Sequence, residues 1–141
     1  MMEVFIDTWG WITIFNKNEK KHKEVEKWYR DFRFKGGIVY TTDYVLDETF
    51  TFLFIRTPVD IAINAMKKID KSINERYLIL TIITPERFEE AKKLRLKYQD
   101  KPSISFTDLT SAVVMSQEGI KAILTQDHHF TYLESGFQII P

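Results

Sequence analysis

Apolar residues recur along this chain at two spacings, and the alternation between them lays out its elements. Short, largely apolar runs stand at Glu3-Val4-Phe5-Ile6, Ile38-Val39-Tyr40, Tyr77 to Ile82, Ala122 to Thr125 and Phe137 to Ile140. Runs of this length, bounded by turn residues, predict buried strands. The segments between them repeat every three or four positions, as one face of a helix does. Trp9, Ile12 and Phe15 mark a short helix over Thr8 to Phe15. Val25, Trp28, Tyr29 and Phe32 mark a second, beginning at Lys20. Val45, Leu46, Phe50, Leu53 and Phe54 form a third stripe, and Ile61, Ala62, Ala65, Met66 and Ile69 a fourth.

Punctuation supports these boundaries. Asn16-Lys17-Asn18 reads as a turn, and Gly36-Gly37 ends the second helix, because glycine tolerates the left-handed geometry of a helix end. Thr42 or Asp43 can cap the third helix with a side-chain oxygen. Thr57-Pro58 divides the third helix from the fourth. Thr84-Pro85-Glu86 opens a fifth running to about Tyr98, with Asp100-Lys101-Pro102 as its exit loop. Ser105 or Thr107 starts a largely apolar sixth, Leu109 to Met115, which Gly119 closes. Strands alternating with helices argue for a parallel, three-layer α/β arrangement, with residues 1–141 forming one domain.

Composition narrows the chemistry. There is no cysteine, which excludes disulfides, thiolate metal sites and Cys nucleophiles. The chain has no transmembrane run, and its start lacks the plan of a signal peptide, so a cytoplasmic protein is expected. The net charge is zero, so no global field draws the protein to nucleic acid. The charge is nevertheless uneven. Lys17 to Lys35 holds eight Lys/Arg against four Asp/Glu, a net of +4, while Asp108 to Pro141 carries a net of −3. A basic segment beside an acidic site suits a phosphate-backbone substrate, whereas a charge run by itself usually marks a solvated helix face.

Four acids stand out by position: Asp7, Glu48, Asp108 and Asp127. Asp7 ends the first strand, Asp127 follows the fourth, and Glu48 and Asp108 lie near the starts of helices. In a parallel sheet, strand ends and the following helix starts share the rim where ligands bind. Each acid has an ordinary reading: a cap for Asp7, a surface glutamate for Glu48, a dipole-favoured first-turn acid for Asp108, a turn residue for Asp127. Their common placement on one rim favours a site, and a carboxylate cluster suits Mg²⁺ or Mn²⁺. The residues alone thus point to a metal-dependent phosphodiesterase.

Four stretches then carry a resemblance: Phe5-Ile6-Asp7-Thr8, Thr42-Asp43-Tyr44-Val45-Leu46-Asp47-Glu48-Thr49, Ser105-Phe106-Thr107-Asp108, and Leu124-Thr125-Gln126-Asp127-His128-His129-Phe130. In order and spacing the chain resembles the PIN domain nucleases, especially the VapC-type toxins of toxin–antitoxin pairs. The resemblance implies a five-stranded parallel sheet flanked by helices and Mg²⁺- or Mn²⁺-dependent cleavage of RNA. It also implies an antitoxin partner and a homodimer, for which the apolar helices between Val45 and Ile69 are the candidate interface. It makes Asp7, Glu48 and Asp108 the core metal-binding acids and Asp127 the fourth. Thr125 matches a hydroxyl that holds that acid in place. The chain departs from the family at Trp9, where Ser, Asn or another small residue is common; an indole supplies no hydroxyl and either narrows the site or packs into the core.

Other residues invite weaker readings. His128 and His129 adjoin Asp127 but read as loop-shaping, since the expected site is all oxygen. His22 reads as exposed, and Trp9 and Trp11 as core rather than as a base-stacking platform. Arg30, Arg33, Arg56, Lys92, Lys93 and Arg95 are candidate phosphate contacts, most of them expected to be ordinary surface charges. The alternative function is a catalytically weak PIN-like module that binds RNA or protein. A phosphoacceptor receiver would need an acidic pair after the first strand, and an Asp-x-Asp phosphatase would need Asp where Trp9 stands.

Overall fold

A computed structural model describes residues 2–141. Its elements run β1 (Glu3–Ile6), α1 (Thr8–Phe15), α2 (His22–Phe34), β2 (Ile38–Thr42), α3 (Asp43–Arg56), α4 (Val59–Asn74), β3 (Leu78–Thr81), α5 (Pro85–Lys97), α6 (Phe106–Glu118), β4 (Ala122–Leu124) and β5 (Gln138–Ile140). The strands form one sheet in the order β3-β2-β1-β4-β5, and every pairing is parallel. The five strands and six helices expected from the pattern are all present.

The differences lie at element ends and in one short turn. The third strand is trimmed to Leu78–Thr81, the fourth to Ala122–Leu124 and the fifth to Gln138–Ile140. Helix α2 starts at His22, not Lys20, because Asn16 to Lys21 is taken up in turns. Thr42, not Asp43, caps α3, its oxygen accepting from the N–H of Val45. Asp43 instead accepts from Ile83 N–H at 2.9 Å, tying the start of α3 to the chain leaving β3. A single 3₁₀ turn, His128–Thr131, has no signature in the apolar spacing.

The sheet order creates a switch point. From β1 the chain winds outward to β2 and β3, then returns to place β4 on the other side of β1. Two strand ends thereby diverge between β1 and β4, which is where open α/β sheets leave a crevice. The register Phe5↔Ile123 and Ile6↔Leu124 sets the residues just beyond each strand side by side.

Helix α1 lies hard against this seam. Val4, Phe5 and Ile6 are wholly buried, as are Ile123 and Leu124. The indole N–H of Trp11, itself 1% exposed, donates to Thr41 Oγ1 at 3.2 Å, and that hydroxyl donates to the Ile6 carbonyl. One hydroxyl thus joins α1, β1 and β2 and leaves no buried donor unpaired there. A second, smaller apolar cluster of Ile12, Leu53, Ala62 and Ala65 fastens α1 to α3 and α4. Among the described residues no helix is long and apolar enough to cross a membrane.

The close approach of α1 depends on Gly10. A β-carbon there would lie 2.8 Å from Ile6 Cγ2 and 2.9 Å from the Leu124 carbonyl oxygen, and the latter is fixed in the sheet. Gly10→Ala is therefore expected to lower stability by ~1–3 kcal/mol, the range for overpacking. Urea unfolding of the two proteins measures this; equal midpoints would show that the seam is looser than these distances require.

Candidate active site

Asp7 stands at the mouth of the switch point and is only 6% exposed. Its Oδ1 accepts from Gly10 N–H at 3.1 Å, so it is the cap of α1. Its Oδ2 accepts from the Thr125 hydroxyl at 2.5 Å. That same hydroxyl oxygen accepts from Asp127 N–H at 3.1 Å. Thr125 therefore connects two of the acids, not only the one it was expected to hold. The capping and site readings of Asp7 are compatible, because the two oxygens face different partners.

Asp108 reaches the rim from the first turn of α6. Ser105 caps that helix, accepting from Asp108 N–H at 3.0 Å, and the helix dipole favours the carboxylate. Asp127 lies beyond β4 with a half-exposed side chain. His129 places Nε2 at 2.9 Å from Asp108 Oδ2 and 3.9 Å from Asp127 Oδ2. Ligand atoms of Asp108, Asp127 and His129 all lie within 4.8 Å of one another.

Glu48 is also on the rim, but it faces Thr8. The Thr8 hydroxyl donates to Glu48 Oε1 at 2.8 Å, linking α3 to the residue that follows Asp7. Glu48 lies outside the close group of Asp108, Asp127 and His129. Asp47 points away and is exposed, as a turn of 100° per residue requires.

Charge crowding shows in the protonation of these groups. Burial pushes the Asp7 carboxyl up to about 7 from the usual 3.8. The bonds from Thr125 and Gly10 oppose the rise, while the charges of Asp108 and Asp127 add to it. The hydrogen bond to Asp108 lifts His129 above its ordinary value; Asp127 and Asp7 assist, and burial opposes. An imidazolium here offsets part of the negative charge.

The structure thus brings Asp7, Asp108 and Asp127 into one electrostatic neighbourhood, with Glu48 joined through Thr8. Two participants carry little signal in the sequence. Thr8 has only its adjacency to Asp7. His129 has its place two residues after Asp127, but its direction depends on the His128–Thr131 turn. His22 is another correction. It is half-buried, with Nδ1 2.8 Å from the Thr13 carbonyl oxygen, because the turns before α2 fold it back onto α1.

The donor set fits a hard divalent cation. It offers carboxylate oxygens from three chain segments, and one of those carboxyls is buried among like charges that a cation would relieve. His129 is engaged with one oxygen of Asp108.

A family model for the PIN domain matches residues 4–134, and the chain belongs to that family, a family of nucleases. No curated protein matches. The fold is similar to Mycobacterium tuberculosis VapC20, a sarcin–ricin loop cleaving toxin, with TM-score 0.81 and 24% identity over 98% of this chain and 99% of that one. It is similar to Rickettsia felis VapBC2, solved bound to a promoter DNA fragment, with TM-score 0.69 and 15% identity over 99% and 98% of the two chains. Neisseria gonorrhoeae FitAcB gives TM-score 0.69 and 14% identity over 98% and 96%.

The protonation pattern has a consequence for the metal-free protein. A carboxyl whose folded value is raised binds its proton more tightly when folded, so its contribution to stability falls as pH rises from about 3.8 to about 7. His129, also raised, contributes below its ordinary 6.5 and loses that contribution as pH climbs through its folded value. In chelator the melting temperature should drop as pH rises from about 3.8 to about 7, and drop further as His129 loses its proton above 6.5. Asp7→Asn should remove the lower part of that slope and leave the part due to His129. A wild-type protein that melts higher at the alkaline end would contradict the burial of Asp7.

Proposed function

We propose that this chain is a metal-dependent endoribonuclease that hydrolyses phosphodiester bonds in single-stranded or structured RNA, and that it is the toxin of a toxin–antitoxin pair. The observation that carries the reading is the buried Asp7 carboxyl at the end of β1, bridged by Thr125 to the backbone of Asp127 and close enough to Asp108 to feel its charge. Membership of the PIN family supports the nuclease class. Similarity to VapC20, a toxin that cleaves the sarcin–ricin loop, supports RNA as substrate. Similarity to VapBC2 supports a protein partner.

Asp7, Glu48, Asp108 and Asp127 are the proposed metal-holding and catalytic residues. Mg²⁺ or Mn²⁺ held there would supply a water activated near neutral pH and charge neutralisation at the phosphoryl group. The side chains supply the rest. Thr125 fixes the orientation of Asp7 and the backbone at Asp127. Thr8 fixes Glu48. His129 bonds to Asp108 and is placed to balance charge as substrate approaches.

A second copy of the chain and an antitoxin complete the proposal. On α3 and α4, Phe54 is 44% exposed, Ile55 72%, Val59 61% and Ile63 41%. Such a patch favours self-association. The antitoxin would lay an amphipathic segment into a groove near the acids. The alternative, a weakly catalytic binding module, rests on Trp9. That side chain packs partly on the core and lines a neighbouring groove, so the acids keep their geometry beside it.

Asp7→Asn and Asp108→Asn should each abolish metal-dependent cleavage of single-stranded RNA while leaving the circular dichroism spectrum unchanged. Expression of the wild type should arrest growth, and the same substitutions should relieve the arrest. Cleavage that persists in either variant would remove that acid from the mechanism. For the interface, Ile55→Glu together with Val59→Glu should convert a dimer to a monomer in light scattering after gel filtration. A dimer that survives both charges must use another face.

A further inference from the structure

Beside the acidic rim lies a groove in which none of the four acids takes part. It has a volume of about 370 Å³ and is lined by Trp9, Thr13, Lys20, Lys21, Phe52 and Arg56. That is within the range of small-molecule sites, ~300–1,000 Å³, and gives room for one nucleotide. It adjoins the acids at two points. Thr8, at its wall, is bonded to Glu48 at 2.8 Å, and Gln126, also lining it, precedes Asp127.

Two features define what the groove would bind. First, it has flat surfaces. Trp9 and Phe52 are half-buried, and the Arg56 guanidinium lies 4.7 Å from the centre of the Phe52 ring. Second, it is positive, with Lys20, Lys21 and Arg56 against the single acid Glu19. Among the described residues none of these three cations is in an ion pair.

The other five sequence candidates for phosphate contact are differently occupied. Arg30 pairs with Glu26, Lys92 with Glu89 and Lys93 with Glu90. Arg33 stacks on Tyr77 at 4.2 Å. Arg95 donates to the carbonyls of Tyr98, Ile104 and Lys101 and holds the loop before α6. Of the six sequence candidates for phosphate contact, Arg56 is the one that lines this groove. The loop bearing Lys20 and Lys21 is not adrift either, because His22 pins it to the Thr13 carbonyl at 2.8 Å.

We propose that this groove is a binding subsite for one nucleotide of a single-stranded RNA, adjacent to the phosphate cleaved at the acidic rim. The base stacks against Trp9 and Phe52, and flanking phosphates meet Lys20, Lys21 and Arg56. Gln126, exposed at the groove, supplies a polar contact to the base edge. Aromatic stacking combined with a basic track is how proteins hold single strands without strict sequence readout. The proposal rests on the endoribonuclease reading and adds the substrate's path to it.

The test is fluorescence anisotropy with labelled single-stranded RNA of about ten nucleotides, in chelator, across a series of salt concentrations. Trp9→Ala should weaken binding about tenfold, and Trp9→Phe, which keeps a stacking face, should restore most of it. Lys20→Ala, Lys21→Ala and Arg56→Ala should each lower the slope of log affinity against log salt by about 0.7 for every phosphate left without its cation. These three side chains are exposed, so their variants remain informative if Trp9→Ala fails to fold. Wild-type affinity and slope in all three basic variants would overturn the subsite and assign the groove to another occupant, such as a protein partner. Cleavage by the wild type with Mn²⁺ would still stand in that case. A wild type that neither binds nor cleaves RNA would overturn the endoribonuclease reading together with the subsite.

Discussion

The carboxyl of Asp7 is withdrawn from water at the point where β1 and β4 part, and much of the molecule is arranged around keeping it there. A buried carboxylate is strongly disfavoured unless hydrogen bonds or opposite charges hold it. Here two bonds are made, one from Gly10 N–H and one from Thr125 Oγ1, yet burial still outweighs them and the proton is held to about 7. Each bond has a structural requirement. The first needs a helix starting directly after β1, close enough to the sheet that only glycine fits at its third residue. The second needs β4 to be the neighbour of β1, although more than a hundred residues separate them in sequence. Strand order, the tight α1 seam and the position of the acid are one constraint expressed three ways.

The other charged groups on the rim are graded by how the backbone presents them. Asp108 gains from its helix start and from His129. Asp127 is half in solvent; its backbone N–H is held by Thr125, and its carboxylate lies 3.9 Å from His129 Nε2. Glu48 comes from α3 and meets a hydroxyl, not another acid. Asp43, at the start of the same helix, is taken up by Ile83 N–H and so serves the fold. Two acids in one stretch of chain thus meet different partners, Asp43 a backbone N–H beyond β3 and Glu48 the hydroxyl beside Asp7.

How much of this could be read from the chain depends on the range of the interactions involved. Strands and helices were legible because their signals are local: apolar spacing, caps and glycines. The four acids were legible as a rim because a parallel α/β order converts positions after strands into neighbours. The caps were legible as choices, and Thr42 over Asp43 was decided only by the contact of Asp43 with the chain leaving β3. His129 was not legible, since its aim depends on a four-residue turn with no periodic signature. His22 read as exposed for a related reason; the carbonyl it meets lies on α1, nine residues earlier, and only the intervening turns bring it there. The basic residues were the least legible, because whether a cation is free depends on neighbours that the sequence does not place.

Trp9 illustrates how a local departure redirects a neighbouring surface. The position sits two residues after the first acid, on the first turn of α1, where the resemblance leads one to expect a small side chain. An indole there must pack somewhere, and the tight seam at Gly10 leaves no room for it beneath the helix. It packs partly on the core and presents its remaining surface beside Thr8, toward Phe52 and the lysines before α2. The same rigid start of α1 therefore serves two ends. Its backbone holds Asp7 in the crevice, and its Trp9 side chain forms part of an aromatic wall alongside, whose charge comes from Lys20, Lys21 and Arg56. Fixing both on one helical turn sets their separation, so a strand gripped by the wall would meet the acids at a constant register.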